Sequence, residues 1–282
     1  MKHNRTGERT FGVGEWIENR YRVLSLVGGG GMSTLYRSID EAKEGQPVAL
    51  KIVKLDIPAA DVPERLKRFQ REFQLLTQLR HPNLVSVYDY GMTAEGELYF
   101  TMEWIEGQNL DPGERLLEPN ATIPVIVQIC RALAYLHARG IIHGDLKPSN
   151  VLMTHDDQVK IVDFGVALEA GMPDLRSSYY SPGYSAPEVR RRHAVDCRAD
   201  LYSLGALWYA LLVGEPPMFM VGMERLVRLT LLEALDNQSS LPREIGDVIG
   251  RLTATLPAER YTSANEAIEA INRIVGSTYT LE

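Results

Sequence analysis

Short apolar segments separated by turn-forming residues occupy the first third of the chain. Each is rich in β-branched, aromatic or aliphatic residues and is bounded by Gly, Pro or Asn, which is the pattern of β-strands. Five such segments occur, at residues 21–27, 34–38, 48–53, 84–90 and 98–103. They predict a five-stranded antiparallel sheet.

A helical pattern interrupts the predicted strands. In residues 64–80, apolar side chains recur every three or four positions, as they do in an amphipathic helix. They are Leu66, Phe69, Phe73, Leu76 and Leu79. The pattern stops at the turn-forming residues 81–83, so one helix is predicted to pack on the sheet.

From about residue 123 the spacing of apolar residues becomes mainly helical. The first apolar stripe ends near Gly140, a residue suited to the end of a helix. Its members are Ile126, Ile129, Cys130, Leu133 and Leu136. Further helical patterns cover residues 200–213, 223–235, 245–255 and 263–275.

The change of pattern near residue 104 predicts an α+β protein with two lobes. A small lobe with an antiparallel sheet and one main helix is expected at about 20–103, and a larger, mostly helical lobe at about 110–276. Residues 104–109 are the predicted hinge, where a ligand cleft commonly lies. We expect a flexible lead-in at 1–19 and a tail at 277–282.

Composition narrows the class of protein. The 282 residues are 45% hydrophobic and 24% charged, as in ordinary globular proteins. With 30 basic and 37 acidic residues the net charge is −7, which argues against general binding of nucleic acid or anionic membranes. Cys130 and Cys197 lie in no CxxC or Cys/His cluster, which favours free thiols in a reducing compartment. No secretory signal is visible, and the apolar stretch 201–213 is too short to span a membrane, so we expect a cytoplasmic location.

A glycine-rich segment joins the first two predicted strands. It reads Gly28-Gly29-Gly30-Gly31-Met32-Ser33. Glycines let backbone N–H groups approach a phosphate closely, but a glycine run between two strands is more often a plain hairpin turn than a nucleotide-binding loop. The segment lacks the ending of a P-loop, and it opens a strand where a dinucleotide-binding motif opens a helix.

A lysine and a glutamate occur in otherwise apolar surroundings. Lys51 lies in the apolar strand 48–53, and Glu72 shares a helix face with Phe69 and Leu76. An unpaired buried charge is costly, so a Lys51–Glu72 ion pair would satisfy both groups and direct an ammonium at phosphate oxygens. Two partly exposed, unrelated charges are the alternative.

Two polar clusters flank a predicted hairpin. The first is His143-Gly144-Asp145-Leu146-Lys147-Pro148-Ser149-Asn150, and the second is Asp163-Phe164-Gly165. The hairpin of residues 151–153 and 159–162 would bring Asp145, Lys147, Asn150 and Asp163 together. One carboxylate can accept a hydroxyl proton, a carboxylate and an amide oxygen can hold Mg²⁺, and the lysine can neutralise a transferred phosphoryl group.

These motifs resemble the protein kinase family, and specifically the bacterial-type (Hanks-type) serine/threonine kinases. The resemblance runs from about residue 20 to 275, with its motifs in the expected order. Besides the segments already quoted, it includes Val48-Ala49-Leu50-Lys51, Glu72, Met102 as the gatekeeper, Ala186-Pro187-Glu188, Asp200 and Arg260. It implies a kinase-like fold in which buried Asp200 supports the catalytic loop and Arg260 pairs with Glu188.

The resemblance also implies roles for individual residues. Lys51, held by Glu72, would contact the α- and β-phosphates of ATP. Asp145, with Lys147 two residues after it, would be the catalytic base or would at least orient the substrate hydroxyl. Asn150 and Asp163 would bind Mg²⁺, with Mn²⁺ as a substitute. The adenine would contact backbone groups of Glu103 and Ile105 and lie between Ala49 and Leu152. The remaining residues expected around ATP are Gly28, Gly29, Gly30, Gly31, Ser33, Leu35 and Met102.

Three positions depart from the family pattern. Ser33 replaces the third glycine of the loop. Gly144 replaces the arginine that in many kinases grips a phosphate on the activation segment, which weakens the case for phosphorylation there as the switch. Ser181 stands where a threonine usually lines the acceptor site, with hydroxyl-rich residues 177–180 before it. Autophosphorylation in this segment is a hypothesis.

The sequence therefore predicts a serine/threonine protein kinase that uses Mg-ATP, acts on protein substrates and autophosphorylates. The alternative is a catalytically inactive pseudokinase that serves as an ATP-binding scaffold or switch. A small-molecule phosphotransferase is disfavoured by Ala186-Pro187-Glu188, Asp200 and Arg260. We expect no nucleic-acid partner and no membrane contact from this segment, and leave open a homodimer and regulatory domains outside the chain.

Overall fold

The computed structural model describes most of the chain, in two compact units. The N-unit comprises Met1–Arg80 with Val85–Ile105, and the C-unit comprises His81–Leu84 with Glu106–Glu282. The residues described are 10–29, 33–53, 73–111, 118–163, 168–169, 181–191, 193–217, 233 and 242–276. In this part of the chain, none of the helices combines the length and apolar character needed to cross a membrane.

The N-unit is built on a six-stranded antiparallel sheet in the order β1-β2-β3-β4-β6-β5. Its strands are β1 Trp16–Ile17, β2 Tyr21–Gly29, β3 Ser33–Asp40, β4 Gln46–Val53, β5 Val87–Met92 and β6 Leu98–Glu103. All five predicted strands occur. The fourth begins at Val87 instead of Leu84, because its pairing with β6 starts at Val87 and Met102 while Leu84 bridges Ile161 of the C-unit.

The prediction of a flexible lead-in is wrong for residues 10–19. Strand β1 pairs with β2, and Phe11 and Ile17 are buried in the core below the sheet. The Phe11 ring meets the Tyr36 ring edge-on at 6.0 Å. The apolar residues of this segment follow no regular spacing, so only the pairing with β2 reveals the segment as part of the fold.

The predicted helix at 64–80 is described from Phe73 onward. Residues 73–76 are helical, and the Phe73 ring packs 4.4 Å from that of Tyr90 on β5. Phe73 and Leu79 are both buried. The first part of the predicted helix lies outside the residues described.

The C-unit is mainly helical. Its helices are α1 Pro119–His137, α2 Pro187–Arg190, α3 Arg198–Val213, α4 Ile245–Leu252 and α5 Ala264–Val275. Apart from residue 233, the helix predicted at 223–235 lies outside the part described. The α+β prediction, with an antiparallel sheet in the first part of the chain and helices in the second, is confirmed.

Helix α3 is the core of the C-unit. It is buried from Ala199 to Leu212, and Trp208 donates a hydrogen bond to Thr122 of α1 at 3.0 Å. Gly205 faces α4 so closely that a Cβ there would lie 2.6 Å from Cβ of Leu252. Because this helix is buried on all sides, its apolar residues lie on every face and do not form a single amphipathic stripe.

Short strands complete the C-unit. They are β7 Gly107–Asn109, β8 Ile141–Ile142, β9 Val151–Thr154, β10 Val159–Ile161 and β11 Leu168–Glu169. The predicted hairpin is confirmed as β9 and β10, but β7, which pairs with β9, falls inside the segment predicted as a hinge. Glycine is needed at the start of β7, because a Cβ on Gly107 would lie 2.7 Å from the Met153 carbonyl oxygen. The role of residues 104–109 as a hinge stays a prediction.

A buried ion pair joins α2 to the segment before α5. Arg260 donates to both carboxylate oxygens of Glu188, at 2.6 and 2.8 Å, and also to the carbonyls of Arg198, Ala254 and Thr255. The Arg260 side chain is fully buried and that of Glu188 is 7% exposed. The pairing implied by the family resemblance is confirmed.

We predict that Arg260→Met lowers the free energy of unfolding by about 3–5 kcal/mol, because the Glu188 carboxylate loses its partner while it stays buried. Denaturant titration measures the change. The matched control is Arg251→Met, which breaks the exposed pair with Glu266 and should cost less than about 1 kcal/mol. If both variants lost the same free energy of unfolding, burial would not be what makes the Arg260–Glu188 pair important for stability.

Candidate active site

Asp200, in the first turn of α3, holds the loop that precedes β9. One carboxylate oxygen accepts the backbone N–H of His143 at 2.9 Å, and the other accepts that of Gly144 at 2.9 Å. The ring nitrogen Nε2 of His137, at the end of α1, lies 2.8 Å from the first of these oxygens. The predicted support of the loop by Asp200 is therefore confirmed.

Electrostatics keep this buried carboxylate ionised. Burial alone would raise the pKa of Asp200, since the charged form loses its hydration. The hydrogen bond and charge of His137, the charge of His143 and the Gly144 amide outweigh burial, and the pKa of Asp200 lies below its ordinary value. The negative charge is therefore present at neutral pH.

The loop turns at Gly144. Its φ of +77° lies in the left-handed region, where glycine has no steric penalty. This turn lets consecutive N–H groups of His143 and Gly144 reach the same carboxylate. It also starts the chain on the path that leads to Asp145.

Three of the predicted catalytic residues meet at Asp145. Lys147 Nζ donates to Asp145 Oδ2 at 2.7 Å, and Asn150 Nδ2 donates to the Asp145 carbonyl at 2.8 Å and to Oδ2 at 3.1 Å. The Asp145 side chain is 18% exposed and that of Lys147 is 29% exposed. The carboxylate is thus fixed in place yet within reach of a substrate.

Ser181 completes this cluster. Its hydroxyl donates to Asp145 Oδ1 at 2.6 Å and accepts from Lys147 Nζ at 3.1 Å. Its backbone N–H donates to the Ser185 hydroxyl at 2.9 Å. From the sequence, Ser181 stands out only as a departure from the family pattern, and it is not among the predicted site residues.

The hairpin of β9 and β10 brings the backbone at Asn150 next to the backbone that leads into Asp163, the two predicted metal ligands. Val162 N–H, directly before Asp163, donates to the Asn150 carbonyl at 2.9 Å. Asn150 is buried and its amide nitrogen is used by Asp145, which orients its side-chain oxygen as the atom that could bind a cation. Asp163 has φ +64°, an uncommon conformation for a residue with a side chain.

These oxygens suit magnesium, which prefers oxygen ligands and usually keeps water or phosphate in its shell. Among the residues that the structure describes, no three His, Cys, Asp or Glu side chains gather to hold a metal ion. A site of one carboxylate and one amide therefore depends on further oxygens from a bound phosphate. The residues present fit a magnesium ion that arrives with a nucleotide.

In the N-unit, the register of the sheet places predicted ATP-contacting residues on one face. Residues directly opposite each other in neighbouring strands share a face. Lys51 lies opposite Leu35, which lies opposite Gly28, and Ala49 lies opposite Met102. Ser33 is two residues before Leu35 and so points the same way. The buried core of Tyr36, Leu50 and Ile52 lies on the other face.

The remaining predicted residues are placed as follows. Gly29 ends β2, and Glu103 ends β6 with its N–H donating to the Ser86 carbonyl at 2.8 Å, so its carbonyl is the backbone group that it can offer. Ile105 is half-buried, two residues later. In the C-unit, Leu152 alternates with the buried Val151 and Met153 of β9.

Several predicted features fall outside the described residues. They include Gly30, Gly31 and Glu72, so the Lys51–Glu72 pair stays a prediction. Phe164 and Gly165 of the second polar cluster, the hydroxyl-rich residues 177–180 and the predicted tail at 277–282 also lie outside them.

Sequence reasoning also missed His137. Its contact with Asp200 spans 63 positions along the chain. A histidine in the last turn of an amphipathic helix carries no signal of such a partner.

Comparisons with known proteins agree on one family. The protein kinase domain family model matches residues 21–272. Serine/threonine-protein kinase PrkC of Bacillus subtilis is 32% identical over 266 residues, which cover 90% of this chain and 40% of that protein. Serine/threonine-protein kinase PknB of Mycobacterium tuberculosis is 33% identical over 89% of this chain and 42% of that protein. The chain thus spans about two fifths of the length of these curated relatives.

A solved structure is similar as well. The crystal structure of the Mycobacterium tuberculosis PknI kinase domain has a TM-score of 0.71 and 27% sequence identity. The similarity covers 94% of this chain and 99% of that one.

We predict that Asp200→Asn lowers the free energy of unfolding at pH 7 by about 3 kcal/mol, since the amide cannot match the hydrogen bonds that the ionised carboxylate accepts. Because the pKa of Asp200 is lowered on folding, its contribution is complete above pH ~4 and is lost as the pH falls further. The difference in free energy of unfolding between wild type and Asp200→Asn should therefore become smaller in acid.

Denaturant titrations at neutral and acidic pH measure this difference. The control is Asp156→Asn, in the exposed turn between β9 and β10, which should change stability little. A gap between Asp200→Asn and wild type that widens in acid would contradict the assignment.

Proposed function

This chain belongs to the protein kinase family, and we propose that it is an active serine/threonine kinase that transfers the γ-phosphoryl group of Mg-ATP to protein hydroxyls. The observation that carries the proposal is the Asp145 carboxylate, which is positioned by Lys147 and Asn150 and holds the Ser181 hydroxyl at 2.6 Å. The names of the relatives, all serine/threonine kinases, support the choice of acceptor.

The Ser181 contact illustrates how an acceptor hydroxyl would be activated. A substrate hydroxyl at hydrogen-bond distance from Asp145 would pass its proton to that carboxylate as its oxygen bonds to the γ-phosphorus. The bond from phosphorus to the β-phosphate oxygen breaks, and ADP leaves. Lys147, within 2.7 Å of Asp145, would neutralise negative charge on the phosphoryl group in transit.

Asn150 and Asp163 are the residues that would hold Mg²⁺ on the nucleotide. When bound, the ion would supply positive charge that stabilises the negative charge developing on the phosphate oxygens. Asn150 also donates to Asp145, so one side chain links the base to the metal-binding position. The contact between Asn150 and Asp145 supports a joint role in phosphoryl transfer for the loop before β9 and the segment after β10 that carries Asp163.

The face of the N-unit sheet that carries Lys51, Ala49 and Met102 would bind the nucleotide. Lys51 would contact the α- and β-phosphates, with Glu72 as its partner. Gly28–Gly31 and Ser33 would cover the phosphates, and Leu35, Glu103, Ile105 and Leu152 would surround the adenosine. These roles are assigned from the family's motifs, which occur along this chain in the expected order.

Gly144 limits how the kinase is switched on. A glycine offers no guanidinium to a phosphorylated activation segment, so we propose that activity does not depend on a phosphate held at this position. Autophosphorylation can still occur at residues 177–180. A cytoplasmic location, further domains and a homodimer stay predictions.

We predict that Asp145→Asn lowers phosphoryl transfer by roughly 10²–10⁴-fold, because the amide cannot accept the proton. Transfer of radiolabelled phosphate from Mg-ATP to the protein itself and to a generic basic protein measures the effect. The control variant is Asp156→Asn, which should keep wild-type activity.

Label on serine or threonine that disappears in Asp145→Asn supports the proposal. Equal transfer by Asp145→Asn and wild type would contradict it. A wild-type protein that binds ATP but transfers nothing would instead favour an inactive scaffold.

We predict that Ser181→Ala reduces kcat/KM for a protein substrate about tenfold, because Asp145 and Lys147 lose the hydroxyl that bridges them. Ser181→Thr keeps the hydroxyl and should retain most activity. Steady-state kinetics on both variants test this, and equal losses in Ala and Thr would point to packing and not to the hydrogen bonds.

A further inference from the structure

A run of basic residues follows the segment that carries Ser181, and the proposed function gives it no role. The sequence there is Arg190-Arg191-Arg192-His193, which begins at the last residue of α2. Arg190, Arg191 and His193, the basic run, are exposed, and residue 192 lies outside the part described. In a chain of net charge −7, this run is a local reversal of charge.

Helix α2 fixes the backbone of the basic run within the C-unit. Glu188 of this helix accepts two hydrogen bonds from Arg260, at 2.6 and 2.8 Å. Val189 packs against a buried apolar cluster of the C-unit, and the His193 N–H donates to the Glu188 carbonyl at 3.0 Å. The run is therefore attached to the core and positioned before any partner binds.

The acidic residues nearest to the basic run in sequence have other partners. The Glu188 side chain is 7% exposed and pairs with Arg260. Asp196 accepts the Arg198 backbone N–H at 2.9 Å, and both of its carboxylate oxygens accept from the Arg198 guanidinium. Neither arginine of the basic run forms an ion pair within the part of the chain that the structure describes. Their charges are therefore available to a partner.

The basic run lies near the acceptor site along a compact stretch of chain. Ser181, whose hydroxyl contacts Asp145, begins a turn in which the N–H groups of Tyr184 and Ser185 donate to its carbonyl at 3.0 Å. Helix α2 begins two residues later. The tight turn and the helical rise place the Cα of Arg190 at most about 20 Å from that of Ser181. An extended peptide spans this distance in about six residues.

The charges directly beside the acceptor segment are negative. Burial, followed by the negative charge of Asp111, raises the pKa of Tyr184 to about 12. Glu215 is exposed next to Pro216, and a Cβ on Gly183 would lie 2.7 Å from Cβ of Pro216. An acidic residue of a substrate is therefore disfavoured right beside its acceptor hydroxyl and favoured further away, at the basic run.

We propose that the basic run selects protein substrates that carry acidic residues about three to six positions from the acceptor serine or threonine. This inference rests on the proposed kinase function and adds a class of substrate to it. Arginine suits such recognition, since its planar fork binds a carboxylate through two hydrogen bonds. Because the run is exposed, the attraction weakens as salt is added.

The test compares two peptides as substrates of the full chain. In the acidic peptide, glutamates occupy the third to sixth positions on both sides of a single serine, and in the neutral peptide glutamines replace them. Steady-state transfer from Mg-ATP gives kcat/KM for each peptide at low and physiological salt. The wild-type chain should prefer the acidic peptide roughly tenfold at low salt, and the preference should be smaller at physiological salt.

The test variant combines Arg190→Gln with Arg191→Gln. It should reduce the preference to about twofold or less, while kcat/KM for the neutral peptide stays near that of wild type. The matched control combines Arg139→Gln with Arg273→Gln, two exposed arginines elsewhere in the C-unit, with the same change in net charge. It should keep the wild-type preference, and circular dichroism verifies that each variant is folded.

A preference that is lost in the test variant and kept in the control supports the proposal. Equal kcat/KM of the wild-type chain for the two peptides, or an equal loss of preference in the two variants, would overturn it. Transfer to the chain itself is measured in parallel. Self-labelling without a preference between peptides overturns only the substrate class, whereas no labelling of any acceptor overturns the proposed function and this inference with it.

Discussion

The buried carboxylate of Asp200 is the constraint on which the C-unit site depends. An ionised group without solvent must be compensated by hydrogen bonds, and here two consecutive backbone N–H groups and an imidazole provide them. The compensation fixes the path of the chain through His143 and Gly144. Asp145 follows directly, and so its carboxylate meets Lys147, Asn150 and Ser181 at hydrogen-bond distance. Preorganisation of this kind stabilises a transition state without a cost at the moment of reaction.

The elements with a clear period or sharp turn signals could be predicted from the sequence. The hairpin of β9 and β10 is one example, since two apolar runs flank His155-Asp156-Asp157. Strands β1 and β7 are too short to show alternation, and each exists because a longer strand pairs with it. The burial of Phe11 and Ile17 likewise depends on partners elsewhere in the chain, which no local pattern reveals.

The same distinction holds in the site. Asp145, Lys147 and Asn150 lie within six residues, so one compact motif predicts their meeting. Ser181 reaches Asp145 across 36 positions, and its contact requires the fold. Arg260 and Glu188 are 72 positions apart, and only the family resemblance predicted their pairing. Local chemistry is readable from sequence, whereas long-range contacts need either a family pattern or a structure.

Asp200 fixes the catalytic loop before any nucleotide binds. Amide hydrogen exchange of the nucleotide-free protein tests this directly, because it reports the free energy of opening at each N–H group. We predict that the amides of His143 and Gly144 exchange as slowly as those in the middle of α3. Exchange as fast as in the exposed turn at Asp156 and Asp157 would contradict the claim, since it would show a loop that is not held.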